Sequence, residues 1–93
     1  MSETIDDISM QYEEEGLVKV KELDKVILTR GAWCTIVFKY QDWNNTAQAY
    51  GPDKYSIRRY QKRNGRFMQQ SKFNISNAEQ ARKVIAALET WID

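Results

Sequence analysis

The stretch WCTIVFKYQDW, residues 33–43, alternates so that its side chains split by parity. Cys34, Ile36, Phe38 and Tyr40 make one almost wholly apolar side, and Trp33, Thr35, Val37, Lys39, Gln41 and Trp43 make a mixed one. Such a period of two, dense in β-branched and aromatic residues, predicts a β-strand. Upstream, LVKVKELDKVILTR is also β-rich, and ELD in its middle interrupts the alternation as a bulge or bend does. RGAW supplies a turn between the two, and NNTAQAYGPD, closing on Gly51-Pro52, reads as a loop. KYSIRRYQKR and RFMQQSKFNI follow as two further strands around Asn64-Gly65. The last element is a helix, with Ser76 as N-cap, Glu79 closing a capping box, and Ala81, Val84, Ile85, Leu88, Trp91 and Ile92 in one apolar stripe. Residues 1–15 show no sustained period. The expectation is an α+β chain: a flexible acidic N-terminal tail over 1–16, then one ββββα domain over 17–93, a four-stranded curved antiparallel sheet followed by one C-terminal helix.

The Asn64-Gly65 turn must keep apolar residues together. A two-residue turn pairs Arg63 with Arg66 and divides Tyr55 and Ile57 from Phe67 and Phe73. A three-residue loop, Arg63-Asn64-Gly65, pairs Lys62 with Arg66 and gathers Tyr55, Ile57, Phe67 and Phe73 on one face, with Gly65 in a left-handed bulge. Register follows the buried face, which favours the longer loop. The opposite face then collects Lys54, Arg58, Tyr60, Lys62, Arg66, Met68, Gln70 and Lys72, joined by Trp33, Lys39 and Trp43 from the preceding strand.

Charge sharpens this picture. The net charge of the 93 residues is +1, but residues 1–16 carry six acids and no base, leaving +7 on the remainder. A basic domain implies a polyanionic partner, and an acidic tail beside it is either a solubilising end or a competitor for the same surface. The segment 54–76 holds seven basic residues and no acid. Lys and Arg suit phosphates, and exposed aromatic rings suit bases whose faces are free, as in single strands rather than duplexes.

Chemistry is narrowed by what is missing. There is no histidine and one cysteine, Cys34. That removes histidine-based triads, a structural zinc site and a disulfide framework, and the lone thiol fits a reducing, cytoplasmic setting. No glycine-rich phosphate loop and no apolar run of membrane-spanning length is present. Neither catalysis nor a cofactor or metal is expected.

At KYSIRRY and KFNISNAE the chain resembles the single-stranded-DNA-binding domain of the transcriptional coactivator positive cofactor four, and especially its small bacterial relatives. Lys54, Tyr55, Ile57, Arg58 and Tyr60 match one pattern of that family, and Phe73, Ile75, Ser76 and Glu79 match a second. The likeness covers about residues 17–92; Ser71-Lys72 replaces a basic-glycine step, and the loop at 44–53 is longer. The resemblance implies four strands and a helix, a symmetric dimer with packed helices, and grooves for single strands. By position it would give binding roles to Arg58, Tyr60 and Lys72, with Trp33 and Lys39 for stacking and phosphate contact.

The combined expectation is a non-catalytic, largely sequence-independent binder of single-stranded DNA or RNA, DNA foremost, acting as a homodimer either in transcription, as a regulator or coactivator, or in nucleic-acid maintenance. Its expected binding residues are Trp33, Lys39, Trp43, Lys54, Arg58, Tyr60, Lys62, Met68, Gln70 and Lys72. Its expected dimer contacts are Val84, Leu88, Trp91 and Ile92. The alternative is a protein-interaction module that uses the aromatic sheet face.

Overall fold

The computed structural model describes residues 4–92. Its elements are β1 (Tyr12–Glu14), β2 (Leu17–Thr29), β3 (Trp33–Asn44), β4 (Ala49–Tyr50), β5 (Lys54–Arg63), β6 (Arg66–Ile75) and α1 (Ala78–Glu89). They form an α+β fold with one curled antiparallel sheet, ordered β1-β2-β3-β5-β6, with β4 folded back on the end of β3. The sheet has six strands where four were expected. The two extra strands are short, one in the expected tail and one in the expected loop. A bulge at ELD is present, since the β2–β3 register shifts between Glu22 and Asp24.

The hairpin register corrects the expected three-residue loop. Arg63 pairs directly with Arg66, and Asn64 and Gly65 have φ of +52° and +78°, the backbone of a tight two-residue turn. Parity is changed further along, where Arg59 faces Ser71 but Tyr60 faces Gln69, so that Gln70 is the extra residue of a bulge. Phe67 consequently lies on one side of the sheet, and Phe73 and Ile75 lie on the other.

That division makes sense because both sides are covered. Phe38 pairs with Ser56, Ile36 with Arg58 and Cys34 with Tyr60, so the apolar side of β3 shares a face with Lys54, Ser56, Arg58 and Tyr60. This reverses the expected arrangement, in which Cys34, Ile36, Phe38 and Tyr40 lay under the helix with Tyr55 and Ile57. Their cover is instead the N-terminal segment, and we call this face the strap side. Ile8 and Met10 join Cys34, Ile36, Phe38, Tyr40, Tyr60 and Phe67 in one buried cluster, with Ile5, Val20 and Ile27 packed against it. Burying two such side chains contributes about 1.5–3 kcal/mol each. The Lys25 ammonium donates to the carbonyls of Asp6 (2.7 Å) and Ile8 (2.6 Å), and the Glu22 carboxylate accepts from Ser9 Oγ and Met10 N. Within the expected tail, residues 4–16 lie against the sheet through a 3-10 turn at Ile5–Asp7, two core residues and β1. Residues 1–3 of the expected tail lie outside the described residues.

The helix lies on the other face, above Val37, Tyr55, Ile57 and Ile75. Its N-cap is Asn77, one residue beyond the expected Ser76. The Asn77 side chain accepts from Gln80 N at 2.7 Å, and Gln80 Oε1 accepts from Ser76 N at 3.0 Å. This is the reciprocal logic of a capping box, built on Asn77 and Gln80 instead of Ser76 and Glu79. The stripe of Ala81, Val84, Ile85 and Leu88 faces the sheet, but the helix buries no residue fully and stops at Glu89, leaving Trp91 and Ile92 beyond it. A 12-residue helix is marginal by itself, and this one buries little of its apolar stripe.

Candidate nucleic-acid interface

Cross-strand partners share a face, so the pairing register sorts the expected binding residues. On the strap side lie Lys54, Arg58, Tyr60, Lys62 and Lys72; on the helix side lie Trp33, Lys39, Trp43 and Met68. Gln70 is the bulge residue, its amide donating to the carbonyl of Met68. The ten do not form one surface.

Several are already engaged. Lys39 lies 3.5 Å from Asp53, which also accepts from Gln41 Nε2 at 2.8 Å. Lys54 donates to Asp42 at 2.9 Å, a contact that raises its pKa above the ordinary lysine value. Trp43 packs edge-on against Tyr50, centroids 5.1 Å apart, and its indole N–H donates to Asn45. Tyr60, expected to stack bases, is buried at 6 % exposure, and burial pushes its hydroxyl pKa up against the downward pull of Arg58. These four serve the fold as it stands: ion pairs and edge contacts brace the β4 end, and Tyr60 is core.

The remaining cations gather on the β5–β6 hairpin. Arg58, Arg59, Lys62, Arg63, Arg66 and Lys72 make no ion pair among the described residues, whose salt bridges involve Arg30, Lys39, Lys54 and Lys83. On the strap side, Arg58 is held by Ser56 Oγ (3.1 Å from Nε) and Gln69 Oε1 (3.2 Å), opposite Lys72. Ser56 is itself fully buried and satisfied, donating to Asn74 Oδ1 at 2.7 Å. Lys62 sits 5.8 Å from the Phe67 ring centroid.

The helix side holds the more open cluster. Trp33, Gln61 and Met68 form one cross-strand row, with the Arg63–Arg66 pair next to it toward the turn and Arg59 next to it on the other side. The Arg59 guanidinium stands 4.7 Å from the Trp33 ring centroid, and Trp33 remains 44 % exposed. Arg63 Nε donates to Gln61 Oε1 at 3.0 Å, which steadies its fork. An exposed ring under one guanidinium, with two more on the same face toward the turn, can stack a base and neutralise nearby phosphates. Sequence reasoning missed Arg59 and Arg63 on the side of Trp33, and placed Arg66 on that side without counting it among the binding residues. One signal was available: the adjacent Arg58 and Arg59 must point to opposite faces of a strand, so one of them had to stand with Trp33.

No cluster of His, Cys, Asp or Glu suited to a metal occurs among the described residues, and none of their helices is long and apolar enough to cross a membrane. Compared with family models, curated proteins and solved structures, the chain gives no match.

Proposed function

We propose that the protein is a non-catalytic, largely sequence-independent binder of single-stranded nucleic acid, DNA foremost, that works as a homodimer in transcription regulation within the cytoplasm. The observation that carries this reading is the β5–β6 hairpin, whose six cations have no carboxylate partner among the described residues; three of them, Arg59, Arg63 and Arg66, share a face with the exposed Trp33, and the Arg59 guanidinium stands over its ring. Phosphates meet Arg59, Arg63 and Arg66 on the helix side and Arg58, Lys62 and Lys72 on the strap side; Trp33 stacks a base. The likeness to the positive cofactor four family supports the same ligand through Arg58 and Lys72, and the role in transcription is carried over from it as part of the proposal.

Support for the dimer comes from the helix side. Val26, Leu28, Phe73, Ile85, Leu88, Trp91 and Ile92 are all at least 48 % exposed. So much apolar surface around one thin helix calls for a cover, and a second copy supplies it through Val84, Leu88, Trp91 and Ile92. The same surface favours the alternative, a module that docks another protein there.

Salt separates the two. If four phosphates are neutralised, affinity for poly-dT falls about 50-fold between 50 and 200 mM salt, from a slope of about −0.7 per phosphate. Fluorescence titration of Trp33 and its neighbours with poly-dT and with a matched duplex reads both affinity and preference. A protein that ignores poly-dT at 50 mM salt is not a single-strand binder.

A further inference from the structure

The segment from Thr4 to Gln11 precedes the first strand pairing, at Tyr12, and lies across the strap side of the sheet. The cluster it completes holds four aromatic rings, Phe38, Tyr40, Tyr60 and Phe67, with Arg58 5.9 Å from the Phe38 centroid and Lys62 5.8 Å from that of Phe67. The covered surface thus has the same make-up as the open cluster around Trp33, rings bordered by cations.

The way the segment is held imitates a bound strand. Its negative ends meet cations: the carbonyls of Asp6 and Ile8 accept from Lys25, and the Asp6 carboxylate meets Arg30 at 3.0 Å. Its apolar side chains, Ile5, Ile8 and Met10, occupy the ring-lined surface between. A single strand presents the same two features to a protein, anionic groups for cations and flat apolar groups for rings.

The segment also has a place to start lifting. Thr4, Ile5 and Asp6 form one wall of a cleft of about 490 Å³ whose other walls are Arg30, Gly31, Ala32, Lys62 and Phe67. The Arg30–Asp6 pair at this end is more than half exposed on both partners, and exposed pairs are readily exchanged for another anion. A phosphate entering the cleft finds Lys62 without a carboxylate and Arg30 held by one.

We infer that residues 4–11 are a displaceable cover over a second single-strand site, formed by Phe38, Tyr60 and Phe67 with Arg30, Arg58 and Lys62. This rests on the single-strand reading proposed above and adds to it an internal competitor. Cover and ligand exclude each other, so the apparent affinity of this site is reduced by the fraction of molecules in which it is closed.

Cys34 reports the state of the cover. It is the chain's single cysteine, fully buried in the cluster that Ile8 and Met10 complete. The experiment follows the rate at which a chromogenic disulfide reagent labels Cys34 in the full chain, alone and with saturating poly-dT. Displacement of the cover speeds labelling by about tenfold or more, whereas a ligand that merely stabilises the fold slows it. In parallel, Ile8→Ala, which loosens the cover, binds poly-dT several-fold more tightly than the wild type at low salt. Poly-dT that binds and leaves labelling unchanged or slower overturns the cover while sparing the open cluster. Absence of poly-dT binding in both the wild type and Ile8→Ala overturns the single-strand reading itself, and the cover with it.

Discussion

The two faces of the sheet are closed in opposite ways. On the strap side, an irregular segment with one 3-10 turn seals Cys34, Ile36 and Phe38 to 0 % exposure. On the helix side, a regular 12-residue helix leaves Val26 and Phe73 more than half exposed and buries none of its own residues fully. Regularity is thus no measure of cover. The strap succeeds because every step of it is tied: carbonyls to Lys25, a hydroxyl and an amide to Glu22, and two side chains into gaps between β3, β5 and β6. Among the described residues the helix has no such set of ties to the strands, and Ile85 and Leu88 lie against the sheet yet stay about half exposed.

The largest effect should separate the faces outright. Phe38→Ala opens a void in the sealed side and should cost about 3–5 kcal/mol, whereas Val26→Ala in an isolated chain should fall within about 1 kcal/mol of wild type. Urea denaturation of both variants measures the contrast. A Val26→Ala cost of core size would show that the helix side is covered in solution.

The second prediction asks what that cover is. If two copies meet through their helices, Leu88→Asp sets a charge in the contact and should convert a dimer to a monomer in sedimentation at micromolar concentration. The wild-type melting temperature should also rise with protein concentration and that of Leu88→Asp should not. A wild type that sediments as a monomer throughout removes the dimer and leaves the docking of a different protein.

Alkaline pH should weaken the strap side selectively. Burial raises the Cys34 thiol and the Tyr60 hydroxyl above their ordinary values, and hydrogen bonding to Asp42 raises Lys54. A folded pKa above the unfolded one means the stabilisation is complete below the unfolded value and is lost as pH rises through the folded one. Stability should therefore hold to about pH 8 and decline beyond about pH 9, with Cys34 the first to respond. Melting curves from pH 7 to 11 test this, and Cys34→Ala should flatten the early part of the decline.

The smallest effect on stability belongs to the open cluster. Arg59→Ala should leave the melting temperature near that of wild type, because Arg59 is exposed and touches the core nowhere that holds it together. It should weaken poly-dT binding and reduce the salt slope by about 0.7, the loss of one phosphate contact. An unchanged slope would move the phosphate path away from Trp33.

Much of the architecture was legible in the residues. The alternation over 33–43 marked β3 and its two unlike sides, ELD marked a bulge in β2, Asn64-Gly65 marked the hairpin, and the apolar stripe after Asn77 marked the helix. Local signals suffice there because each depends on neighbours within a turn or two of chain. The concentration of unopposed charge on β5 and β6 was equally legible, because it is a count of residues and not a matter of packing.

Which sides face each other was decided elsewhere. Parity divides each strand into two faces but does not say which face of β3 joins which face of β5; that depends on the pairing of Phe38 with Ser56 rather than with a neighbour one residue away. One bulge residue, Gln70, then moved Phe67 and Phe73 to opposite sides, which no count over the hairpin could anticipate. The acidic start of the chain looked unstructured because Ile5, Ile8 and Met10 follow no strand or helix period. They gain their place from a surface assembled out of β3, β5 and β6, far away in sequence. Local order is written in short-range preference, whereas the assignment of faces and the closing of the strap side arise from hydrogen-bond register and burial between distant segments, and these exist once the tertiary structure has formed.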